Sequence, residues 1–154
     1  MDKNRNSKNF GSTTDVVELN SDKEIFLHVC TSCRPSGCPR EPKENRPGYR
    51  LYKNIEAKLG SSNLEKKLHL LPAECLSLCS RSCGIAMSSG GSWTYLFGDQ
   101  DPDTTVDDIL ECVATYIKND LGNMTRNQRP PTLRSSILGR IPPGIKNKID
   151  GDQL

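Results

Sequence analysis

Apolar residues come along this chain in short bursts separated by polar stretches. Ile25-Phe26-Leu27-His28-Val29 is an apolar run rich in strand formers. It predicts a buried strand that ends at Cys30. Thr31 to Pro47 is polar and proline-containing, so helix does not start easily there and a loop is expected. From Tyr49 to Leu59, Leu51, Ile55 and Leu59 fall on one helical face, and Gly60 offers a C-cap. Leu68-His69-Leu70-Leu71 predicts a second strand, stopped by Pro72. Ile85-Ala86-Met87 and Trp93-Thr94-Tyr95-Leu96-Phe97 flank a Ser/Gly segment, which predicts a hairpin with a glycine turn.

The last helix has the clearest pattern. Val106, Ile109, Leu110, Val113, Ile117 and Leu121 form one apolar stripe, and Gly122 ends it. Thr104 is the expected N-cap, with Asp107 and Asp108 in the first turn. The predicted order is strand, helix, strand, cysteine loop, hairpin, helix. That is an α/β chain.

The flanks differ in character. Residues 1–23 are polar, with almost no large apolar group, and are expected to form a disordered arm. The folded domain is expected over residues 24–122. From Asn123 to Leu154, arginine and lysine outnumber acids, and Pro130-Pro131 and Pro142-Pro143 interrupt any long helix. This segment predicts an irregular basic tail.

Composition narrows the function. Hydrophobic residues make up 34% of the 154 residues, which implies one small core. A net charge of +2 and 5% aromatics give little electrostatic or stacking basis for nucleic-acid binding. No run reaches membrane-spanning length, and none resembles a signal peptide. A cytoplasmic protein without membrane contact is expected. Thiols stay reduced in that compartment, so clustered cysteines read as metal ligands or redox catalysts before disulfides.

The seven cysteines carry the chemistry. Cys30 and Cys33 form a CxxC at a strand end, and Cys75 and Cys79 form a second pair four residues apart. Each spacing lets two sulfurs face one centre. Soft thiolates suit iron–sulfur clusters, zinc or copper(I), and two pairs make a four-thiolate set. Cys83 continues the spacing of four and Cys38 follows the first pair, so both are reserve ligands. Cys112 lies in the last helix and reads as a buried small hydrophobe. His28 and His69 sit in predicted strands and read as structural. Asp99, Asp101 and Asp103 lack the EF-hand glycine and glutamate, so a capped turn is expected there. No GxSxG, phosphate loop or HExxH is present.

The element order and the segment Cys75-Leu76-Ser77-Leu78-Cys79 resemble the thioredoxin-like [2Fe–2S] ferredoxins. The hairpin Gly91-Ser92-Trp93-Thr94-Tyr95 adds to that likeness. A set of uncharacterised bacterial proteins, described as predicted metal-binding proteins, is similar over roughly Phe26 to Pro143. The shared stretches are Cys30-Thr31-Ser32-Cys33-Arg34, Cys75 through Cys83, Trp93 through Asp99, Arg129 through Arg134 and Arg140-Ile141-Pro142-Pro143. The resemblance implies a thioredoxin-like fold and a [2Fe–2S] cluster on Cys30, Cys33, Cys75 and Cys79, with Cys83 supporting. It also implies a thin link to cobalamin metabolism. Two features depart from the ferredoxins. The first pair is tighter, and Cys83 stands where they have a small residue or proline.

Three functions compete at this point. The leading one is a small electron carrier with a cysteine-ligated [2Fe–2S] cluster, in which Arg34 and Arg81 stabilise thiolates or form a docking surface. Amides near Ser77 and Ser80 would then bond the sulfurs. Its partner would be a redox or metal-transfer protein, and a homodimer is compatible with it. The second is a zinc protein, structural or a metallochaperone, since zinc takes the same ligands. The third is a thiol oxidoreductase on Cys30 and Cys33. That reading expects a helix opening at the CxxC, which Pro35, Gly37 and Pro39 oppose, and a cis-proline that is absent at Cys83-Gly84.

Overall fold

Strand alternation organises the computed structural model, which describes residues 22–144. The arm expected over residues 1–23 lies outside the described residues up to residue 21, as does the tail from residue 145. In β1, Ile25–Cys30, residues Ile25, Leu27 and Val29 are buried while Phe26 and His28 are half-buried. The period of two puts alternate side chains on one face. Helix α1, Pro47–Leu59, follows and buries Leu51, Ile55 and Leu59 as its spacing predicts. It leads to β2, Leu68–Ala73, which runs parallel to β1. The strands β3, Ile85–Ser89, and β4, Thr94–Phe97, form the expected hairpin, with Gly91 at φ 67° in its turn. Helix α2 spans Val106–Lys118. With a last strand β5, Ile137–Ile141, the five-stranded sheet has the order β2-β1-β3-β4-β5, with only β1 and β2 parallel.

The core lies between the buried face of the sheet and the helices α1 and α2, which also pack on one another. Tyr95 and Phe97 of β4 stack at 6.0 Å, and Tyr95 meets Tyr116 of α2 edge-on at 6.0 Å. Tyr95 Oη donates to the Gly122 carbonyl at 3.0 Å and accepts the Met124 N–H at 2.8 Å. This hydroxyl ties the chain beyond α2 into the core. Gly122 has φ 66°, and a Cβ there would stand 2.3 Å from the Tyr116 ring. Glycine is therefore required on both counts.

Four expectations need correction. Pro72 does not stop β2, which continues to Ala73. The strand lies at the sheet edge, where a missing N–H is tolerated. The N-cap of α2 is Thr105, not Thr104. The Asp101 carboxylate accepts the N–H groups of Asp103 at 2.7 Å and Thr104 at 3.1 Å, so the expected capped turn is built on Asp101 just before the helix. Leu121 falls past the helix end and is exposed rather than part of the stripe, whose buried members include Cys112 and Tyr116.

The fourth correction concerns the tail expected from Asn123. As far as residue 144 it contains a 3-10 turn at Arg126–Gln128, helix α3 at Pro131–Ser135 and strand β5 at Ile137–Ile141. Thr125 and Gln128 form a capping box, and Leu133 is fully buried. Pro131 opens α3 at its first position, where the missing N–H costs nothing. Strand β5 pairs with β4 and closes that side of the sheet.

Candidate metal centre

Two loops meet at the end of β1 where the chain leaves the sheet. Cys30 donates its N–H to the Gly84 carbonyl at 3.0 Å. Thr31 follows, and both its N–H and its hydroxyl donate to the Ala73 carbonyl, at 2.8 and 3.1 Å. The loop then turns under the start of α1, where Gly48 N–H donates to the Cys33 carbonyl at 3.2 Å. A Cβ on Gly48 would stand 2.1 Å from the Cys30 carbonyl oxygen, so glycine lets the helix approach this closely.

The second loop is anchored by its leucines. Leu76 packs against the core. Leu78 lies over Gly84, where an added Cβ would come within 2.8 Å of its Cδ1. Ser77 adopts φ 57°, and its N–H donates to Cys75 Sγ at 3.2 Å. Cys79 opens a 3-10 turn, Cys79–Arg81. The chain re-enters the sheet through Cys83, which exchanges backbone hydrogen bonds with Gln100 at 3.1 and 3.3 Å. The Ser82–Cys83 peptide bond is cis, without a proline.

Cys30, Cys33 and Cys83 are buried and stand in a row, with Cys33 near enough to each of the other two to shift its protonation. Cys33 Sγ also accepts the Gly84 N–H at 3.4 Å. Cys30 Sγ donates to the Glu74 carbonyl at 3.8 Å. The Cys33 contact, and then burial, push the Cys30 thiol far above its ordinary value. At Cys33 the Cys30 contact lowers the pKa. The Cys83 contact and burial outweigh it, and the thiol rises to about 11. Cys83 moves down, because its bond with Cys33 favours the thiolate against the opposing effect of burial.

Of the expected ligands, Cys30 and Cys33 are therefore buried neighbours, while Cys75 and Cys79 are exposed. Cys75 directly follows Glu74, whose carbonyl accepts from Cys30 Sγ. Cys79 and Cys33 line one cleft of about 460 Å³, together with Ser32, Arg34 and Ser80. Cys83 belongs to the buried row, whereas Cys38 is exposed, with its carbonyl accepting from Arg34. Arg81 forms a two-pronged ion pair with Asp99. Among the described residues, no three Cys, His, Asp or Glu side chains are grouped closely enough to hold a metal ion.

The remaining candidates lie elsewhere. Cys112 is buried in α2 with Sγ 3.9 Å from Met124 Sδ. His69 stacks on Phe26 at 5.1 Å and faces Glu24 at 3.4 Å. His28 is half-buried in β1. Sequence reasoning missed Gly48 and Gly84, the positions that let helix and leucine close on the thiols. The only signal for Gly48 was its place beside Pro47 at a helix start.

The donor chemistry fits a soft metal centre. The two loops bring buried thiols side by side and aim the amides of Ser77 and Gly84 at sulfurs. Grouping all four expected ligands on one centre requires Cys75 and Cys79 to turn inward from the rim.

The family model described as "Protein of unknown function (DUF1636)" matches residues 27–143. No curated protein matches the chain. A solved thioredoxin-like [2Fe–2S] ferredoxin from Aquifex aeolicus is similar at 19% identity and a TM-score of 0.52, over 80% of this chain and 98% of its own. A cysteine-to-serine variant of the thioredoxin-like ferredoxin from that organism gives 16% identity and a TM-score of 0.50, over 75% of this chain and 98% of its own. At these identities the likeness is one of fold, and the fold is thioredoxin-like.

Proposed function

This chain belongs to the DUF1636 family of proteins of unknown function, and we propose that it is a small electron carrier holding a [2Fe–2S] cluster between its two cysteine loops. Cys30, Cys33, Cys75 and Cys79 would be the ligands. The observation that carries the reading is the convergence of both loops on Cys30 and Cys33. Cys75 directly follows Glu74, whose carbonyl accepts from Cys30 Sγ, and Cys79 shares a cleft with Cys33. The ferredoxin likeness of the fold supports it further, since those proteins carry a [2Fe–2S] cluster. Bound there, such a cluster would supply one-electron transfer.

The protein's own residues have separable roles in this reading. Thr31 and Gly48 hold the first loop, and Leu76 and Leu78 hold the second. The Ser77 and Gly84 amides donate to sulfur, which stabilises thiolate charge and tunes a potential. Cys83 lies behind Cys33 and acts through it. A thiol oxidoreductase is disfavoured. Its attacking thiol needs exposure and a lowered pKa, whereas Cys30 and Cys33 are buried and raised.

Metal analysis of protein purified without oxygen tests the proposal. The expected result is about two irons and two acid-labile sulfides per chain, with visible absorption. Stoichiometric zinc in a colourless protein, from cells given ample iron, refutes it.

A further inference from the structure

The segment beyond α2 builds a second site that has nothing to do with the cysteines. A cleft of about 520 Å³ opens between β5 and the loop after α2. Arg126, Arg129 and Arg140 line it, and no carboxylate does. Among the described residues, none of the three forms an ion pair with Asp or Glu. The cleft therefore concentrates positive charge that the described fold leaves uncompensated.

Arg129 is the strongest sign that something is meant to enter. It is only 7% exposed, and its Nε has no hydrogen-bond partner. A buried charge without a partner is destabilising until a counter-charge reaches it. Burial, joined by repulsion from Arg126 and Arg140, holds its pKa below the ordinary guanidinium value against the opposing effects of Tyr95 and Cys112.

The other two arginines are held in place by neutral groups. Arg126 donates to the Arg134 carbonyl at 3.2 Å. Arg140 donates to Asn123 Oδ1 at 3.3 Å, and its guanidinium lies 4.5 Å from the Trp93 ring centre. Each keeps spare N–H donors in a fixed fork. Preplaced forks suit a tetrahedral oxyanion, which accepts bidentate bonds from several directions.

We propose that this cleft binds the phosphate group of a small molecule, with Arg129 at its base and Arg126 and Arg140 at its mouth. A dianion or polyanion fits better than one carboxylate, because three cationic side chains converge there. The volume falls in the range of ordinary ligand sites and exceeds a bare phosphate. Met124, Ile137 and Leu138 leave apolar wall for the rest of the ligand.

Calorimetric titration of the full chain with inorganic pyrophosphate tests this, with citrate as the polycarboxylate control. Saturable pyrophosphate binding is expected. Arg126→Ala and Arg140→Ala should each weaken it about tenfold, equal to about 1.4 kcal/mol, with circular dichroism unchanged. These two side chains are exposed, so their loss leaves folding intact even where Arg129→Gln does not fold. Absence of saturable binding, or binding that neither variant weakens, overturns the proposal. Tighter binding of citrate than of pyrophosphate overturns the phosphate assignment. Iron content plays no part in any outcome, so this site and the cluster reading stand or fall separately.

Discussion

Cys30 and Cys112 are equally buried, each 1% exposed, yet they stand in opposite settings. Cys112 lies in the packed face of α2 against Met124, and burial pushes its thiol up to about 12. Cys30 ends a strand beside Cys33, whose sulfur accepts the Gly84 N–H, and the Glu74 carbonyl accepts from Cys30 Sγ. Burial alone therefore does not separate a ligand from a small hydrophobe. What separates them is the company of other thiols and of N–H donors turned toward sulfur. At Cys112 neither is found.

Substitution at the two regions is the sharpest way to break this contrast. Cys75→Ala removes an exposed side chain and should fold normally, yet it should abolish stable cluster binding, because a centre with three thiolates loses a strong soft ligand. Cys112→Ala should keep full iron and sulfide content. Loss of metal in a folded Cys112→Ala protein would falsify the division between the two regions.

Within the cysteine corner the contrast narrows to Cys79 against Cys83. Cys79→Ala should abolish stable cluster binding. Cys83→Ala should retain the cluster with a shifted reduction potential, since Cys83 stands next to Cys33 in the buried row. Iron and sulfide analysis with potentiometry distinguishes them. Cluster loss confined to Cys83→Ala moves the fourth ligand into the buried row.

A smaller effect is expected from the core beside Cys112. Tyr95→Phe leaves the Met124 N–H and the Gly122 carbonyl without their buried partner. It should cost about 1–3 kcal/mol in denaturant unfolding, with metal content unchanged. A neutral effect on stability would show that the hydroxyl does not anchor the chain after α2.

The smallest expected effect is an alkaline one. The Cys112 thiol has a folded pKa raised above its unfolded value of about 9, to about 12. The unfolded chain therefore binds fewer protons between those values, and stability falls as pH rises through that window. The contribution is fully present below pH 9 or so. Cys112→Ala should flatten the decline measured by denaturant unfolding from neutral pH to about 11. An unchanged slope would mean that this thiol ionises as freely folded as unfolded.

Periodicity made most of the fold readable. Leu51, Ile55 and Leu59, and the α2 stripe, face the core because helical spacing leaves no other burial. The β1 run and the hairpin were equally plain. What escaped had a tertiary cause. Strand β5 has little alternation of its own, and only pairing with β4 makes it a strand. Pro72 reads as a stop unless its edge position is known. At the site, the cysteine spacings marked both loops, but they could not show that Cys83 would share the buried row with Cys30 and Cys33. That grouping depends on backbone pairing between residues distant in sequence, Cys83 with Gln100 and Cys30 with Gly84. The arginine cleft was hidden more completely, because its members are scattered through a stretch that reads as a solvated tail.

Electron paramagnetic resonance of the protein reduced after anaerobic purification addresses the cluster most directly. A [2Fe–2S] centre that accepts one electron becomes paramagnetic with a spin of one half. The account predicts such a signal, integrating to about one spin per chain and absent from Cys75→Ala. A reduced wild-type protein that is folded, holds stoichiometric zinc and gives no signal would contradict it.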